Sequence, residues 1–455
     1  PLPMLHQGAP DPADSSDLPG HLLPADDGAL PLWRALPPPP ADLRCVVVMP
    51  VRDEAAGIDT ALQALATQIL STGARSAAGE TPRFEIVVLA NNCSDDTAAR
   101  ARAVAQRQPS LGLHVVEADL PQPLANVGYA RGQLFDEACR RLQLAGHPRG
   151  VIASTDGDTR VEPDWLQGIL DEIDQGADAV GGRILTDDCA GLGPAALRMQ
   201  RADATHALLQ SRLASLIDPD GHDPWPRHHQ HFGASLAVTA EAYRAAGGMP
   251  KVDVLEDMAL VRALQRADRR VRHSPRVRVR TSSRLDGRAS VGLSWQLRQW
   301  AQAEAKAHSD ALDDAARDLP DPLVLRALHW QTMLQARHRL RKAWPQGATD
   351  PALQGTVAAG LGLPHAEVAD RVAQADGFGS LWNDLETAAT HKRHREGDLE
   401  PLSQAMAALR LAVRLAARLA VLPVADLAVS LAPSIVQGAS SSGGSTPGWS
   451  KTSSR

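Results

Sequence analysis

Runs of apolar, largely β-branched residues alternate along the first part of this chain with segments whose apolar positions recur every three or four residues. Cys45 to Met49 is the first run, closed by Pro50, and Ile58, Leu62, Leu65 and Ile69 then keep helical spacing over 58–70. A second strand is predicted over Glu85 to Ala90, followed by the polar turn Asn91-Asn92-Cys93-Ser94-Asp95-Asp96 and an Ala/Arg-rich helix. Leu113 to Glu117 reads as a third strand, 131–144 as a helix and Val151 to Thr155 as a fourth strand. Pro163-Asp164-Trp165 opens the next helix, and Ala177 to Ile184 reads as the fifth strand. Short strands separated by helices of about 10–15 residues predict an α/β fold, with a mostly parallel sheet covered by helices on both faces. Ligands of such sheets bind outside the carboxyl ends of the strands, and each polar cluster named below stands at such an end.

Beyond residue 300 the pattern becomes helical, over 301–344, 351–376 and 381–396, then in a long Ala/Leu/Val-rich stretch over 401–437. Arg410, Arg414 and Arg418 recur every four residues and so share one face of that stretch. Two readings fit them: a packed helix with a solvated arginine stripe, or an interfacial helix touching anionic lipid. Pro423 and Pro433 interrupt the stretch and argue against a membrane span. The chain thus divides into a Pro-rich arm (1–43), an α/β domain (44–300), a helical C-terminal region (301–437) and a Ser/Gly-rich tail (438–455) whose composition predicts disorder.

Composition narrows the function classes. A net charge of −6 and only 3% aromatic residues offer neither a basic field nor stacking platforms, so no nucleic-acid partner is expected. Cys45, Cys93, Cys139 and Cys189 lie far apart, without metal-knuckle or redox spacing, which suits reduced thiols and a cytoplasmic location. No basic segment followed by an apolar one marks a signal peptide at the N-terminus. No apolar stretch reaches the ~18–20 residues of a spanning helix.

The chemistry concentrates at the strand ends. Thr155-Asp156-Gly157-Asp158-Thr159 follows the fourth strand, and two carboxylates one residue apart are hard oxygen ligands suited to Mg²⁺ or Mn²⁺. Asp-Gly-Asp is also ordinary turn chemistry. After the first strand, a loop with Pro50, Arg52, Asp53 and Glu54 can cradle a nucleoside, or can simply begin a helix with acids in its first turn. Asn91 and Asp95 after the second strand can meet a base or ribose, and the same turn can cap the next helix. In Asn126-Val127-Gly128-Tyr129-Ala130-Arg131-Gly132, small residues allow close backbone approach and Arg131 can meet a phosphate. Arg280, Ser282, Ser283, Arg284 and Arg288 follow a strand of alternating Val and Arg, and can contact a diphosphate or an anionic acceptor, or be a solvated basic edge.

Taken together, these loops resemble the family 2 glycosyltransferases of the GT-A fold. That family typically shows a Pro-x-x-Asn/Asp-Glu loop, an Asp-Asp/Asn-Gly-Ser-x-Asp-x-Thr turn, an Asn/Gly/Ala/Arg-rich loop and then Asp-x-Asp. Downstream, Phe232-Gly233-Ala234-Ser235 with Tyr243 and Gly247-Gly248 looks like the family's acceptor-side strand and helix. Leu255-Glu256-Asp257-Met258-Ala259-Leu260 is similar to its Glu-Asp motif, whose Asp is the usual base of inverting members. Gln296-Leu297-Arg298-Gln299-Trp300 is similar to the Gln-x-x-Arg-Trp element of processive members, but Arg298 stands one place early and no paired membrane helices follow. Ala90 and Asn91 also stand where acids are common, which weakens the base and ribose contacts.

The resemblance covers about residues 44–300. It implies transfer of a sugar from a UDP- or GDP-sugar to a hydroxyl acceptor, assisted by Mg²⁺ or Mn²⁺ on Asp156 and Asp158. Asp257 would be the catalytic base and Glu256 would orient it or the acceptor. Of His228, His229 and His231, His231 reads as lining the donor–acceptor cleft, and joins Asp156 and Asp158 as a candidate metal ligand. A non-catalytic GT-A scaffold that binds sugar or nucleotide is the rival. Gly-x-Gly-x-x-Gly is absent after the first strand, which argues against a dinucleotide-dependent dehydrogenase. The expected location is cytoplasmic, with 401–437 a candidate for peripheral contact with the inner membrane face; the sugar, the acceptor and the oligomeric state are not legible.

Overall fold

A computed structural model describes residues 31–70, 83–187, 192–287, 291–310 and 319–421. Most of the Pro-rich arm (1–30), Cys189, Arg288, Pro423, Pro433 and the tail from 438 lie outside the described residues. The chain runs β1 (Leu43–Val51), α1 (Ile58–Ala66), β2 (Arg83–Asn91), α2 (Thr97–Arg107), β3 (Leu113–Ala118), α3 (Val127–Leu144) and β4 (Val151–Ser154). It continues through β5 (Thr159–Val161), α4 (Trp165–Asp174), β6 (Ala179–Thr186), α5 (Pro194–Ile217), β7 (Leu236–Thr239), α6 (Ala240–Ala245), α7 (Glu256–Arg266) and β8 (Val271–Thr281). A mainly helical part follows: α8 (Leu293–Asp310), β9 (Leu323–Leu325), α9 (Ala327–Ala343), α10 (Pro351–Leu361), α11 (His365–Gln374), α12 (Phe378–Arg395), β10 (Leu399–Pro401) and α13 (Leu402–Val421).

The main sheet has the order β3-β2-β1-β4-β7-β6-β8-β5. Pairs β1–β2, β2–β3, β1–β4 and β6–β8 are parallel, and β7 and β5 run against the rest. This is the mostly parallel, helix-flanked architecture expected from the alternation of short strands and helices. Alternation along β1 shows why its apolar run is continuous. Val46 and Val48 pack with Val87, Leu89, Leu134 and Phe135 on one face, while Cys45, Val47 and Met49 pack with Ile58, Leu62, Ile86 and Trp165 on the other. Burial of each such side chain is worth about 1.5–3 kcal/mol. β1 pairs with β4 only from Cys45↔Val151 to Val48↔Ser154, so Pro50, which has no N–H to donate, sits beyond that ladder.

The order of the first four strands locates the ligand crevice. The chain steps from β1 outward through β2 and β3, then returns to place β4 on the other side of β1. Crevices open at such a reversal, outside the carboxyl ends of the two central strands. The Pro50–Glu54 loop leaves β1 there, and the Asp156-Gly157-Asp158 turn leaves β4 there.

Several elements differ from the sequence expectation. α3 begins at Val127 because Asn126 caps it, its Oδ1 accepting from the Tyr129 N–H at 2.8 Å. The 301–344 pattern is two helices separated by a short strand, and 351–376 is broken at Gly362, which takes φ +70° before Pro364. Helices α9 to α12 enclose their own core around Leu340, Val357, Leu361, Leu381 and Leu385. α13 packs through Leu409 against Leu213 of α5 and Leu334 of α9. Among the described residues no helix is long and apolar enough to cross a membrane.

Candidate active site

The turn after β4 is built against the loop after β1. Thr155 N–H donates to Val48 O at 3.1 Å, and Thr159 N–H donates to Asp156 O at 3.1 Å, closing the turn. Residue 157 must be glycine: a Cβ there would lie 2.7 Å from Val51 Cγ1 and 3.1 Å from Glu54 Cγ. That close approach brings Glu54 beside Asp158. Arg284, just past β8, answers both acids, donating from Nη1 to Glu54 Oε2 at 2.6 Å and from Nη2 to Glu54 Oε1, and pairing with Asp158 Oδ2 at 3.1 Å. Burial raises the Asp158 carboxyl to about 6, and the Asp156 charge reinforces this, while Arg284 works the other way. The sequence suggested Arg284 for a diphosphate; here its guanidinium is the cation at the carboxylate pair.

Arg131 ties this turn to the Glu-Asp element. It is buried on the second turn of α3, donates from Nη2 to Asp156 Oδ1 at 2.6 Å and hydrogen-bonds Glu256 through Nη1. Burial alone would lower its pKa, but the charges of Asp156, Glu256 and Asp257 outweigh this and raise it. The guanidinium lies so close to Gly233 that a Cβ there would collide with Cζ. Glu256 and Asp257 open α7, where acids favour the helix dipole, yet they are 3% and 8% exposed and are not merely solvated caps. Asp257 accepts from Gly233 N–H through Oδ2 and from Met258 N–H through Oδ1, both at 2.7 Å. Its carboxyl is raised to about 6 by burial, then by the Glu256 charge, against the pull of Arg131 and the two N–H groups. A buried carboxylate titrating near neutrality and held by donors suits proton acceptance.

The loops after β1 and β2 are stapled together. Ser94 donates to Asp53 Oδ1 from N–H at 2.7 Å and from Oγ at 3.0 Å. Ala55 N–H donates to Asp95 Oδ2 at 3.0 Å, and Glu54 N–H to Thr97 Oγ1 at 2.8 Å. Asp95 also accepts from Thr97 N–H at 3.0 Å, so it holds the loop and caps α2. Of the other sequence-derived residues, Pro50 is buried in β1, Asn91 is buried as the last residue of β2, and Arg52 is exposed.

His231 belongs to a chain of groups that no local sequence signal announced. Its Nδ1 faces His273 Nε2 at 3.0 Å, and His273 Nδ1 faces Asp223 Oδ2 at 2.9 Å. Burial lowers the pKa of His228 and His229 to about 3 and holds His231 well below its usual value, so all three rings are neutral near pH 7. Asp156, Asp158 and His231 do not converge as a trio. Among the described residues, the one set of three metal-type ligand atoms within 4.8 Å of one another is Asp53, Cys93 and Asp95. Its carboxylates are engaged in the loop staple.

Residues 46–219 match the family model described as glycosyl transferase family 2. No curated protein matches the chain. Solved structures give distant likenesses. A mannosyltransferase from Pyrobaculum calidifontis, in complex with GDP-Man and Mn²⁺, is 18% identical over 78% of this chain and 87% of its own, with a TM-score of 0.37. S. aureus TarS 1–349 in complex with UDP-GlcNAc is 12% identical over 78% and 92%, at a TM-score of 0.38. Glucosyl-3-phosphoglycerate synthase from Mycobacterium tuberculosis is 17% identical over 57% and 78%, at 0.32. At that distance the likenesses say nothing about the donor or acceptor of this protein. The matched segment spans β1 to α5 and contains the reversal in strand order, the stapled loops and the Asp156-Gly157-Asp158 turn; over residues 46–219 the chain is similar to the family 2 glycosyltransferases, and the protein is a glycosyltransferase.

Proposed function

We propose that this glycosyltransferase takes a sugar from a nucleotide-diphosphate sugar and passes it, with inversion, to a hydroxyl acceptor. The observation that carries the reading is the Asp156–Arg131–Glu256 bridge beside Asp257, buried at Arg131 and Glu256 and partly open to solvent at Asp156. It joins a carboxylate suited to the leaving-group side to a carboxylate suited to the acceptor side. In the step, the acceptor oxygen bonds to the anomeric carbon as its proton passes to Asp257, and the bond from that carbon to the diphosphate breaks. Arg131 and the Gly233 and Met258 N–H groups orient Asp257, and Glu256 keeps its pKa high enough to accept a proton. The strand-end loops that carry Pro50, Arg52, Glu54, Asn91 and Asp95 would seat the nucleotide, with Arg284 near the diphosphate. A non-catalytic scaffold would have little use for a buried, raised carboxyl at residue 257.

A divalent ion fits the Asp156/Asp158 pair. Glu54, Asp156 and Asp158 are hard oxygen donors, Glu54 and Asp158 held by the Arg284 guanidinium and Asp156 by that of Arg131, which already marks the place as one for cations. Mg²⁺ or Mn²⁺ held by Asp156 and Asp158 would neutralise the leaving diphosphate. In calorimetry, UDP or GDP should bind the wild-type protein at least about tenfold more tightly with Mn²⁺ than with a chelator, and Asp158→Ala should erase the difference. Equal affinity with and without the ion in the wild type would remove the metal from the site.

We propose in addition that α13 rests on an anionic membrane surface. Leu411, Leu415 and Leu419 are 51%, 50% and 36% exposed, beside the exposed Arg410, Arg414 and Arg418, and Leu402–Val421 contains no acid. A solvated helix face would ordinarily mix acids with bases; apolar side chains flanked by unopposed arginines suit an acidic lipid surface. The protein should sediment with vesicles containing phosphatidylserine and not with pure phosphatidylcholine. The triple change of Arg410, Arg414 and Arg418 to Gln should weaken this on the order of 100-fold. Equal binding to neutral vesicles would contradict the assignment.

A further inference from the structure

Two arginines on neighbouring strands stand without a counter-charge. Arg183 of β6 and Arg278 of β8 are paired in register, so their side chains leave the same face of the sheet side by side. Arg183 is half-buried and Arg278 is exposed. Among the described residues neither guanidinium makes a hydrogen bond or an ion pair. The arginines around them do: Arg280 donates to Glu162 Oε1 at 3.0 Å, Arg276 to Asp171 Oδ2 at 3.0 Å and Arg160 to Asp187 Oδ1 at 2.8 Å. Glu162 is the acid held against Arg278, its N–H donating to Arg278 O at 3.0 Å, yet its carboxylate goes to Arg280. Like charges side by side on adjacent strands repel, and two open guanidinium forks are the groups that best take up a phosphate or carboxylate.

The sheet puts the pair near the proposed reaction centre. Ser154 of β4, Leu236 of β7 and Gly181 of β6 form one row across three adjacent strands. Asp156 and Arg183 each lie two residues beyond that row in the same direction, two strand spacings or about 10 Å apart. Ala179, Gly181 and Arg183 alternate onto one face of the sheet. On that face Ala179 packs with Leu134 of α3 and with Leu260 and Val261 of α7, the helices that carry Arg131 and the Glu256–Asp257 pair. A Cβ at Gly181 would lie 3.1 Å from His231 Cβ, and Ile184 N–H donates to Gln230 Oε1 at 2.9 Å. The segment so held against β6 runs on to Gly233, whose N–H donates to Asp257. Arg183 therefore shares with the base both the sheet face and the strand end.

The charge selects the ligand. The donor's diphosphate has its own cations in the reading above, Arg284 and the ion on Asp156 and Asp158. Arg183 and Arg278 stand two and three strands away from the Asp156 turn, on β6 and β8. An anion bound there belongs to the other substrate. A neutral sugar would leave both charges unanswered, whereas one anionic group answers both and removes their repulsion. We propose that Arg183 and Arg278 bind the acceptor through a phosphate or carboxylate, and that the acceptor is a small hydroxyl compound bearing such a group. This rests on the glycosyl-transfer reading for the role of the ligand, not for its binding.

The test uses the full chain with Mg²⁺ and UDP or GDP, and four probes: inorganic phosphate, glycerol 3-phosphate, glucuronate and, as the uncharged control, methyl α-glucoside. Line broadening in ³¹P or ¹H NMR should show at least one anionic probe binding about tenfold or more tightly than the control. Arg183→Gln and Arg278→Gln should each weaken that probe about tenfold, and Arg278→Lys, which keeps the charge and loses the fork, should weaken it less. Nucleotide affinity should stay where it was in all three variants. A preference for glycerol 3-phosphate or for glucuronate supports the proposal either way and names the anion. Failure of every anionic probe to bind, equal binding of methyl α-glucoside, or unchanged affinity in both Gln variants would each overturn it. So would a fall in nucleotide affinity in those variants, which would give the pair to the diphosphate, or a loss of sedimentation with phosphatidylserine vesicles, which would give it to the membrane. Failure of the donor reading appears separately, as wild-type protein that takes the anion but no nucleotide.

Discussion

Asp257→Asn will lower kcat by about 10²–10⁴-fold and leave nucleotide affinity where it was. The amide keeps the shape of the carboxylate and can still accept from the Gly233 or Met258 N–H, so the fold around it should stand. What it loses is the capacity to take the acceptor proton. The pH dependence follows from the same group. A base works only when deprotonated, and burial with the Glu256 charge puts this carboxyl at about 6. Wild-type kcat/KM should therefore be flat above that pH and fall as pH drops through it. Asp158, also raised to about 6, will steepen the fall if its charge is needed for the donor. An Asp257→Asn enzyme that keeps more than a tenth of the wild-type kcat would place the base elsewhere.

Loss of Arg131 should be the most damaging single change to stability. The side chain is 5% exposed and is flanked by Asp156, Glu256 and Asp257. Arg131→Met keeps much of the stem and removes the charge, which leaves three acids around one pocket. Breaking a buried ion pair from one side costs about 3–5 kcal/mol, because the remaining charge is left uncompensated. Urea unfolding at pH 7.5 should show a loss of that size. The sign of its pH dependence is fixed by the same argument: protonation relieves the repulsion, so the deficit should shrink at pH 5. With the guanidinium gone, Asp257 should also titrate higher in the variant. A deficit below about 1 kcal/mol at pH 7.5 would mean that the pocket opens to water and that the bridge matters little.

The sheet and the carboxylates were legible in the sequence, for different reasons. β1, β2, β3 and β4 announce themselves because strands buried on both faces must be apolar throughout. β5 went unread: three residues, Thr159-Arg160-Val161, carry no period to detect, and β7 was announced only by the resemblance of Phe232–Ser235 to an acceptor-side strand. Asp156 and Asp158 could be found from local pattern, since a strand end is a local event, and Glu256 and Asp257 from their resemblance to a family motif. Their partners could not. Arg131 meets Glu256 across 125 residues, Arg284 meets Glu54 across 230, and Asp223 reaches His273 across 50. Nothing in the neighbourhood of an arginine says whether it will hold a phosphate or an acid of the same chain.

The contact between Gly233 and the Arg131 guanidinium bears on how this enzyme can vary. A side chain at 233 must push the guanidinium aside, and the guanidinium is what holds Asp156 and Glu256 in register. Sites 131 and 233, a hundred positions apart, therefore behave as a single heritable unit. In a mutational library of this protein, tolerance at one should be readable only in the genetic background of the other, and a lineage that lost the arginine would be the one free to abandon the glycine.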